Sequence, residues 1–378
     1  MKLKLPSFKT RPYHVIVVMV GLLAIISVYA AFSIANRFWA TLFLHLIGFL
    51  ILFIFSRYSY KRLTRFAPSA LPLSLLLLLW TFIFGSGAGG RSVQVLGIQF
   101  QTFYLITILV IFFLCVFIAS HTKNEREMEK NEIIFAFVIL IFFAGIIAIR
   151  NFSTTLLLLG TGLLILFVAG ISKKIMARFI ILGLLAVSLY IGIGMLHNSQ
   201  SSASDNAQVA SRSATVASRI KYYFTGESDT KHYGKQTLLS KTAVARSTNF
   251  SIGPGKGLVK HNMAEGENDY VFSLISEELT IVGSVLIILI YLAIFLQSIR
   301  ISVNSKGNFA RLFSFAIGVL ITMQAFIHIG VNVGGIPATG QTLPFISRGM
   351  TTLLASYAII GILINIAKNS SDADEEIK

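Results

Sequence analysis

Five carboxylates stand at the beginning of one strongly apolar segment, within the stretch NMAEGENDYVFSLISEEL. Three fall close together and two follow about two helical turns later: Glu265, Glu267, Asp269, Glu277 and Glu278. The positive end of a helix dipole attracts acids and accounts for the first three. It does not account for the last two, since charges inside a membrane span usually face a bundle interior or a water-filled cavity. Carboxylates in such a cavity can take a proton from a substrate or hold a cation.

Further polar residues at helical spacing indicate that these acids border a cavity. In a helix drawn from Asp269, the residues Ser273, Ser276 and Thr280 lie close to one face. A second polar stripe repeats every four residues further along the chain. We predict a cavity near one membrane face, lined by Ser273, Gln324, His328, Asn332, Thr339 and Pro344. Such a cavity fits a cation transporter, and it fits equally an enzyme that acts on a lipid-linked substrate.

A glycine-rich run, SIGPGKGL, precedes the acids and offers groups that bind anions. Gly253 and Gly255 permit close backbone approach, and a run of exposed N–H groups can cradle an anion beside the cation of Lys256. The run lacks the spacing of a P-loop. By itself it is explained as well by an ordinary turn.

The stretch NVGGIPATGQTLPFISRGMTTLL, residues 332–354, is too rich in glycine, proline and hydroxyl groups for a regular membrane helix. Irregular backbone at membrane depth is tolerated only where protein or a cavity covers it. Arg348 lies just inside the apolar segment that follows and needs an anionic partner. One of the acids or a phosphate group would serve.

The elements that must position these residues are membrane helices. The chain has 378 residues, of which 55% are hydrophobic and only 13% are charged. Apolar runs of about 18 or more residues, each long enough to cross a bilayer, recur along most of its length. We predict an all-α polytopic membrane protein with about ten transmembrane helices, at residues 13–35, 39–56, 69–84, 100–120, 132–149, 152–170, 177–196, 271–298, 309–331 and 344–366.

The net charge of +16 reflects membrane topology and not nucleic-acid binding. Lysine and arginine concentrate in the segments on the N-terminal side of the membrane, whereas the short opposite loops hold Arg37, Arg91 and Arg150. This bias predicts that both termini are cytoplasmic. The N-terminal segment comprises residues 1–12, and the C-terminal segment is an acidic tail at 368–378 that we predict to be disordered. Residues 197–270 then form a large extracytoplasmic loop between the seventh and eighth helices.

Two long motifs carry a resemblance to a known family. TGQTLPFISRG closely resembles the pattern T-G-x-x-L-P-F-x-S-x-G of the SEDS family of shape, elongation, division and sporulation proteins. AEGENDYVFSLISEEL resembles its partner motif, P-E-A-x-T-D-F-I-F-x-x-I-x-E-E-L. The span pattern and the large loop also agree, so the resemblance covers residues 1–378 as one membrane domain. The GQT sequence is more similar to the division branch (FtsW) than to the elongation branch (RodA).

The resemblance implies a peptidoglycan glycosyltransferase that polymerises lipid II into glycan strands at the outer membrane face, for septal wall synthesis. Asp269 matches the essential acid of the family, and its carboxylate suits the general base that deprotonates the acceptor hydroxyl. The pyrophosphate leaving group requires cations or N–H donors, for which the candidates are Arg219, Arg246, Lys256, Arg348, Gly253, Gly255 and Ser347. Supporting acids, which would tune Asp269 or bind metal, are Glu265, Glu277 and Glu278. No cofactor is required, and a divalent cation (Mg²⁺ or Mn²⁺) is the alternative.

The resemblance also implies partners and a location. These are lipid II, a cognate class B penicillin-binding protein with transpeptidase activity, other divisome proteins and membrane lipid, at the septum of the bacterial cytoplasmic membrane. Arg348 departs from the family pattern, which usually has Tyr at this position. Three alternatives stay open: a lipid II flippase, a non-catalytic division scaffold, and an elongation polymerase of the RodA type.

Overall fold

The computed structural model describes residues 11–35, 37–86, 92–95, 98–122, 128–183, 188, 219–225, 231–247, 253–263 and 266–375. Helices dominate these ranges. They are α1 (Pro12–Ala35), α2 (Phe38–Arg57), α3 (Tyr60–Leu63), α4 (Ala67–Phe84), α5 (Thr102–His121), α6 (Lys130–Ala148), α7 (Phe152–Val168), α8 (173–183), α9 (219–225), α10 (Lys231–Ala245), α11 (Val271–Asn304), α12 (Asn308–Asn332) and α13 (Met350–Glu375).

The helical polytopic fold predicted from hydropathy is confirmed. Within the described ranges, eight helical segments are long and apolar enough to cross a membrane, and α7 is a shorter apolar helix. Each agrees with a predicted span to within a few residues, with three exceptions. The third apolar segment begins at Tyr60 instead of residue 69, α11 continues to Asn304 instead of ending at 298, and the last helix begins later than predicted. The predicted seventh span, 177–196, lies mostly outside the described residues, as does the large loop as far as residue 218. The count of ten spans therefore stays a prediction.

Both ends of the last predicted span differ from the structure. The span was predicted from residue 344, but α13 begins only at Met350 because Pro344 and Phe345 (φ 64°) interrupt the helical backbone. At its other end α13 continues to Glu375. The tail predicted to be disordered at 368–378 is thus helical over most of its length, since propagating an existing helix costs little compared with nucleating one.

A small antiparallel sheet between α4 and α5 was not predicted by the all-helical assignment. It joins β1 (Gly85–Ser86), β2 (Ser92–Val95) and β3 (Ile98–Phe100) in sequence order, with Val93 opposite Phe100. Strands this short carry little periodicity, which explains why the hydropathy pattern gave no sign of them.

Close helix packing sets the positions of the elements around the site. α2 and α13 lie side by side, and a Cβ atom added at Gly48 would overlap the Tyr357 ring. A Cβ atom added at Gly361 would lie 2.7 Å from the carbonyl oxygen of Leu52. His45 and Tyr357 share a buried hydrogen bond across the same contact (2.7 Å). Glycine here allows two backbones to approach, as is common between membrane helices.

The long helix α11 is broken at Thr280, where φ is 71° and ψ is 177°. This conformation is rare for a β-branched residue and marks a sharp change of direction. The prediction of one continuous polar face from Asp269 through Thr280 was wrong, because α11 begins only at Val271 and changes direction at Thr280. The hydroxyl of Ser276 instead donates to the Phe272 carbonyl of its own helix (2.7 Å).

Candidate active site

Asp269 lies in a half-buried turn two residues before α11 begins. Its carbonyl oxygen accepts a hydrogen bond from Nδ2 of Asn332, at the end of α12 (3.0 Å). The side-chain oxygen of the same asparagine accepts the N–H of Ser273 (2.9 Å). Asn332 is fully buried and satisfies one of the N–H groups that a helix start leaves without an internal partner. One amide side chain thereby fixes both the turn that carries Asp269 and the first turn of α11.

The second motif segment packs directly against the turn that carries Asp269. The hydroxyl of Ser347 donates to the carbonyl of Asn268 (2.7 Å) and accepts the N–H of Leu343 (2.8 Å). Arg348 pairs with Glu267 at 3.2 Å. The two motifs lie about 80 residues apart in sequence, yet the fold places them in contact. The predicted need of Arg348 for an anionic partner is met by an acid, and its role in pyrophosphate binding stays a prediction.

The polar stripe of α12 supports the irregular segment that leads to Ser347. Gln324 donates to the Thr342 carbonyl (2.9 Å), and Nδ1 of His328 donates to the Gln341 carbonyl (2.7 Å). Tyr291 donates to the carbonyl of Pro344. Carbonyl groups that leave a helix inside a membrane require such donors. The stripe therefore stabilises backbone that a regular helix would have satisfied by itself.

The other two predicted cavity residues lie in the same irregular segment. The Thr339 carbonyl accepts the hydroxyl of Ser153 (2.6 Å), and Pro344 is buried. The cavity-lining role of Ser273, Gln324, His328, Asn332, Thr339 and Pro344 stays a prediction, and none of the six lines the groove described below.

Glu277 is a fully buried acceptor for the glycine-rich turn. One carboxylate oxygen accepts Nε of Arg246 (2.9 Å) and the N–H of Leu258 (3.3 Å). The other accepts the N–H of Val259 (3.3 Å). An ion pair and two backbone donors thus compensate the loss of water around this carboxylate.

Glu278 binds the same turn from the other side and connects it to α1. Its carboxylate accepts the N–H of Gly257 (3.3 Å) and lies 3.6 Å from Nζ of Lys260. It also accepts the hydroxyls of Tyr29 (3.3 Å) and Ser33 in α1. A Cβ atom at Gly257 would lie 3.1 Å from this carboxylate, so the close approach favours glycine. The anion that this glycine-rich turn contacts is therefore the protein's own pair of glutamates.

The remaining predicted pyrophosphate ligands are spread around the site. Arg219 donates to the carbonyl of Ala338 (3.0 Å), and Arg246 is bound to Glu277. Lys256 is exposed at the tip of the turn, and Gly253 and Gly255 adopt positive φ angles of 88° and 75°. Their roles toward a substrate, like those of Glu277 and Glu278 toward Asp269, stay predictions. Glu265 lies outside the described residues.

Metal binding was predicted as an alternative role of the acids. Across the described ranges, no group of three or more His, Cys, Asp or Glu side chains is placed to hold a metal ion. The carboxylates of Glu277 and Glu278 are occupied by basic side chains and N–H groups. These two residues therefore do not fit the donor set of a divalent cation.

A groove of about 510 Å³, including its open mouth, lies beside the Asp269 turn. It runs between α1, α2 and the beginning of α13. Its walls are Ser27, Ala30, Ala31, Ile34, Arg37, Thr41, Leu44, Glu267, Val271, Ile346, Ser347, Arg348, Met350 and Leu353. Asp269 is not one of them, but Glu267 and Val271 lie two residues to either side of it.

A family model described as "Cell cycle protein", for FtsW, RodA and SpoVE, matches residues 10–372. The chain belongs to the FtsW/RodA/SpoVE family. Its membership confirms the resemblance drawn from the two motifs, which the structure places in contact at Ser347 and Asn268.

Three relatives illustrate how far this family likeness extends. Stage V sporulation protein E of Bacillus subtilis is 27% identical over 86% of this chain and 85% of its own. A probable peptidoglycan glycosyltransferase FtsW of the same organism is 26% identical over 93% and 86%. The protein of that name from Geobacter sp. strain M18 is 23% identical over 94% and 96%.

Solved structures share the fold of this family member. A chain of a peptidoglycan synthase complex that coordinates polymerization and crosslinking matches with a TM-score of 0.73 and 21% identity, over 94% of this chain and 97% of that one. The rod shape determining protein RodA of Thermus thermophilus matches with a TM-score of 0.65 and 18% identity, over 96% and 99%.

Three site residues were missed by reasoning from sequence. Lys260, Tyr29 and Ser33 surround Glu278, but nothing in their spacing connects them with it. Lys260 lies three residues beyond the glycine cluster and could have been included as a further cation of the turn. Tyr29 and Ser33 lie four residues apart in an apolar helix, so they share one face of that helix. The spacing does not show which residue this face contacts.

Proposed function

We propose that this family member is a peptidoglycan glycosyltransferase that polymerises lipid II at the outer face of the cytoplasmic membrane. Support comes from the family match and from relatives named as probable peptidoglycan glycosyltransferases. The GQT sequence is more similar to the division branch of the family than to the elongation branch, and it therefore favours septal wall synthesis. RodA-type elongation is the second candidate.

Asp269 acts as the general base of this reaction. Its carboxylate takes the proton of the acceptor sugar's 4-hydroxyl while that oxygen attacks the anomeric carbon of the donor. The bond from this carbon to the lipid pyrophosphate breaks, and the pyrophosphate leaves with the electron pair. Asp269 afterwards releases the proton to water. The observation that carries the proposal is the position of the Asp269 turn, which Asn332 and Ser347 hold at the meeting point of both family motifs.

Basic residues near the Asp269 turn stabilise the charge that develops on the leaving group. Arg348 is half-exposed beside the groove, and Lys256 is exposed on the glycine-rich turn. Arg246 contributes indirectly. It forms an ion pair with Glu277, and Glu277 holds the glycine-rich turn in position. A divalent cation held by acids other than Glu277 and Glu278 is the alternative source of this charge neutralisation.

Orientation and partners follow from the same proposal. The bias of basic residues supports cytoplasmic termini and an extracytoplasmic position for the Asp269 end of the bundle. A class B penicillin-binding protein would crosslink the strands as they form, together with other divisome proteins at the septum. The structural likeness to a chain of a peptidoglycan synthase complex supports such an assembly.

The test is polymerisation of labelled lipid II by the purified protein, with and without its penicillin-binding partner. We expect polymer from the wild type and none from Asp269→Asn, at equal folding and partner binding. Asp372→Asn, in the terminal segment of α13, is the matched control and should polymerise normally.

Other outcomes contradict the proposal in different ways. Equal polymer from wild type and Asp269→Asn would remove Asp269 from the chemistry. Absence of polymer from the wild type, with lipid II still crossing liposome membranes, would favour the flippase. Absence of polymer from the wild type, together with normal septal growth of cells that carry only Asp269→Asn, would favour a scaffold.

A further inference from the structure

Four basic side chains lie together on the connection between α2 and α4. They belong to the end of α2, to α3 and to the 3₁₀ turn after it: Arg57, Lys61, Arg62 and Arg65. All four are exposed, and two exposed aromatic residues, Tyr58 and Phe66, accompany them. We call residues 57–66 the basic connection.

The basic connection is held in place by α13 and α12. Nδ2 of Asn365 donates to the Ser56 carbonyl at the end of α2 (3.0 Å), and Oδ1 of the same residue accepts the N–H of Tyr60 at the start of α3 (3.0 Å). Asn365 is buried, and the ring of Tyr60 stacks on Phe309 of α12 with the ring centres 6.1 Å apart. The four cations therefore stand on backbone that is positioned before any ligand binds, which lowers the entropy cost of binding.

The basic connection lies at the membrane face opposite to the Asp269 turn. α13 begins at Met350, close to that turn, and reaches Asn365 about 22 Å further along its axis. The guanidinium of Arg57 lies 4.9 Å from the ring centre of Phe53, an exposed residue of α2. α2 and α4 are apolar enough to cross a membrane, so their exposed apolar side chains face acyl chains. The cations then lie at the level of the phospholipid head groups.

The two helices that the basic connection joins have different packing partners. α2 packs mainly on α13 and α1, whereas α4 packs mainly on α5. The connection therefore bridges two groups of helices at the boundary between lipid and water. Basic surfaces between membrane helices are places where anionic head groups bind.

The positive charge of the basic connection lacks a partner within the described ranges. None of its four basic side chains forms a hydrogen bond or an ion pair with another described residue. On α13, which holds the connection, the first acid is Asp372, about 10 Å of helix beyond Asn365. A phosphodiester carries one negative charge at neutral pH, so a head group with two phosphates balances four cations better than a head group with one.

We propose that the basic connection binds an anionic phospholipid whose head group carries two phosphates, as in cardiolipin. The phosphates lie against the four cations, and the acyl chains lie along the exposed apolar faces of α2 and α4. A lipid in this position contacts both groups of helices and stabilises their arrangement from the membrane side. The site goes beyond the proposed function, because it lies at the opposite end of α13 from the Asp269 turn.

The test is binding of cardiolipin to the delipidated full-length protein in neutral detergent, measured by native mass spectrometry. The connection variant removes three of the four cations and keeps Arg57, which packs on Phe53: Lys61→Gln, Arg62→Gln and Arg65→Gln. Binding of the first cardiolipin should weaken at least tenfold, because each basic residue beside an anionic head group adds its own attraction.

A matched control loses the same charge at the same membrane face. Four helices, α4 to α7, separate the basic connection from the start of α8, so both lie at one face. The control variant changes three exposed residues of α8: Lys173→Gln, Lys174→Gln and Arg178→Gln. It should bind cardiolipin as the wild type does.

Thermal unfolding gives a second readout. A ligand that binds only the folded state raises the thermal midpoint. Cardiolipin should therefore raise the midpoint of the wild type and of the control variant, but not that of the connection variant. Phosphatidylethanolamine, which has no net charge, should not raise it, and inorganic phosphate should compete only weakly because it has no acyl chains.

Three results would overturn the inference. Equal weakening of binding in the two triple variants would show a general attraction of lipid to a basic membrane face. Equal affinity for phosphatidylglycerol at the same phosphate concentration would remove the requirement for two phosphates. Unchanged cardiolipin binding in a connection variant with a wild-type midpoint in the absence of lipid would show that these cations do not hold the lipid.

Discussion

Replacing Arg246 by methionine should destabilise the protein through the buried carboxylate that it neutralises. Glu277 has no exposed side-chain surface, and Nε of Arg246 lies 2.9 Å from its carboxylate. Methionine keeps much of the aliphatic stem and removes the charge. The carboxylate then keeps only its two N–H contacts, with Leu258 and Val259.

The magnitude follows from how the pair is placed. Removing one partner of a fully buried ion pair costs about 3–5 kcal/mol. The side chain of Arg246 is 45% exposed, so water already screens part of the interaction. With two N–H donors still in place, we expect a loss of about 1–2 kcal/mol in the free energy of unfolding.

A double-mutant cycle isolates this effect. Arg246→Met should lower the thermal midpoint of the detergent-solubilised protein by a few degrees. In a Glu277→Gln background the same change should cost less than about 0.5 kcal/mol, because no buried charge is left without its partner. Arg311→Met, an exposed arginine near the beginning of α12, is the matched control and should leave the midpoint unchanged.

Equal losses from Arg246→Met in the two backgrounds would refute the reasoning. That result would mean that the arginine stabilises the fold by packing alone and that Glu277 does not depend on its charge. A normal midpoint for Arg246→Met with wild-type Glu277 would show that the two N–H donors suffice for the buried carboxylate.

The remaining predictions concern packing and positioning. Gly361→Ala should destabilise the α2–α13 contact by about 1–3 kcal/mol in thermal unfolding, because its Cβ atom would lie 2.7 Å from the Leu52 carbonyl. Gly145→Ala, which has open space around it, should not destabilise the protein, and equal losses from both would contradict the packing argument. Asn332→Leu should lower kcat for lipid II polymerisation about tenfold, with a smaller change in KM, since it frees the backbone of Asp269. An unchanged kcat in a folded variant would remove Asn332 from the positioning of the base.

The membrane helices could be predicted because their cause is local. A run of apolar residues must leave water whatever its neighbours are, and its length alone decides whether it spans. The same reasoning could not find the break at Thr280, where the backbone adopts an unfavourable φ within an apolar run. Nor could it place the strands of the small sheet, because the pairing of Val93 with Phe100 is a contact between strands and not a property of either segment alone.

The acids show most clearly where prediction from sequence ends. Composition and spacing indicated that Glu277 and Glu278 need an unusual environment inside a span. They did not reveal that this environment is the glycine-rich turn itself, closed by Arg246 and Lys260. The sequence did indicate that the glycine-rich turn can bind an anion. In the folded protein the anions that it binds are the carboxylates of Glu277 and Glu278 from the same chain.

The sequence by itself determined the helical membrane architecture and the two motifs that carry the family likeness. Only the tertiary structure decided that Asn268 and Ser347 touch, that Asn332 holds the Asp269 turn, and that a groove opens beside it. The physical reason lies in the range of the forces involved. Transfer of apolar surface into lipid depends on each segment's own composition, whereas a buried polar group is stabilised by partners that the chain supplies from distant segments.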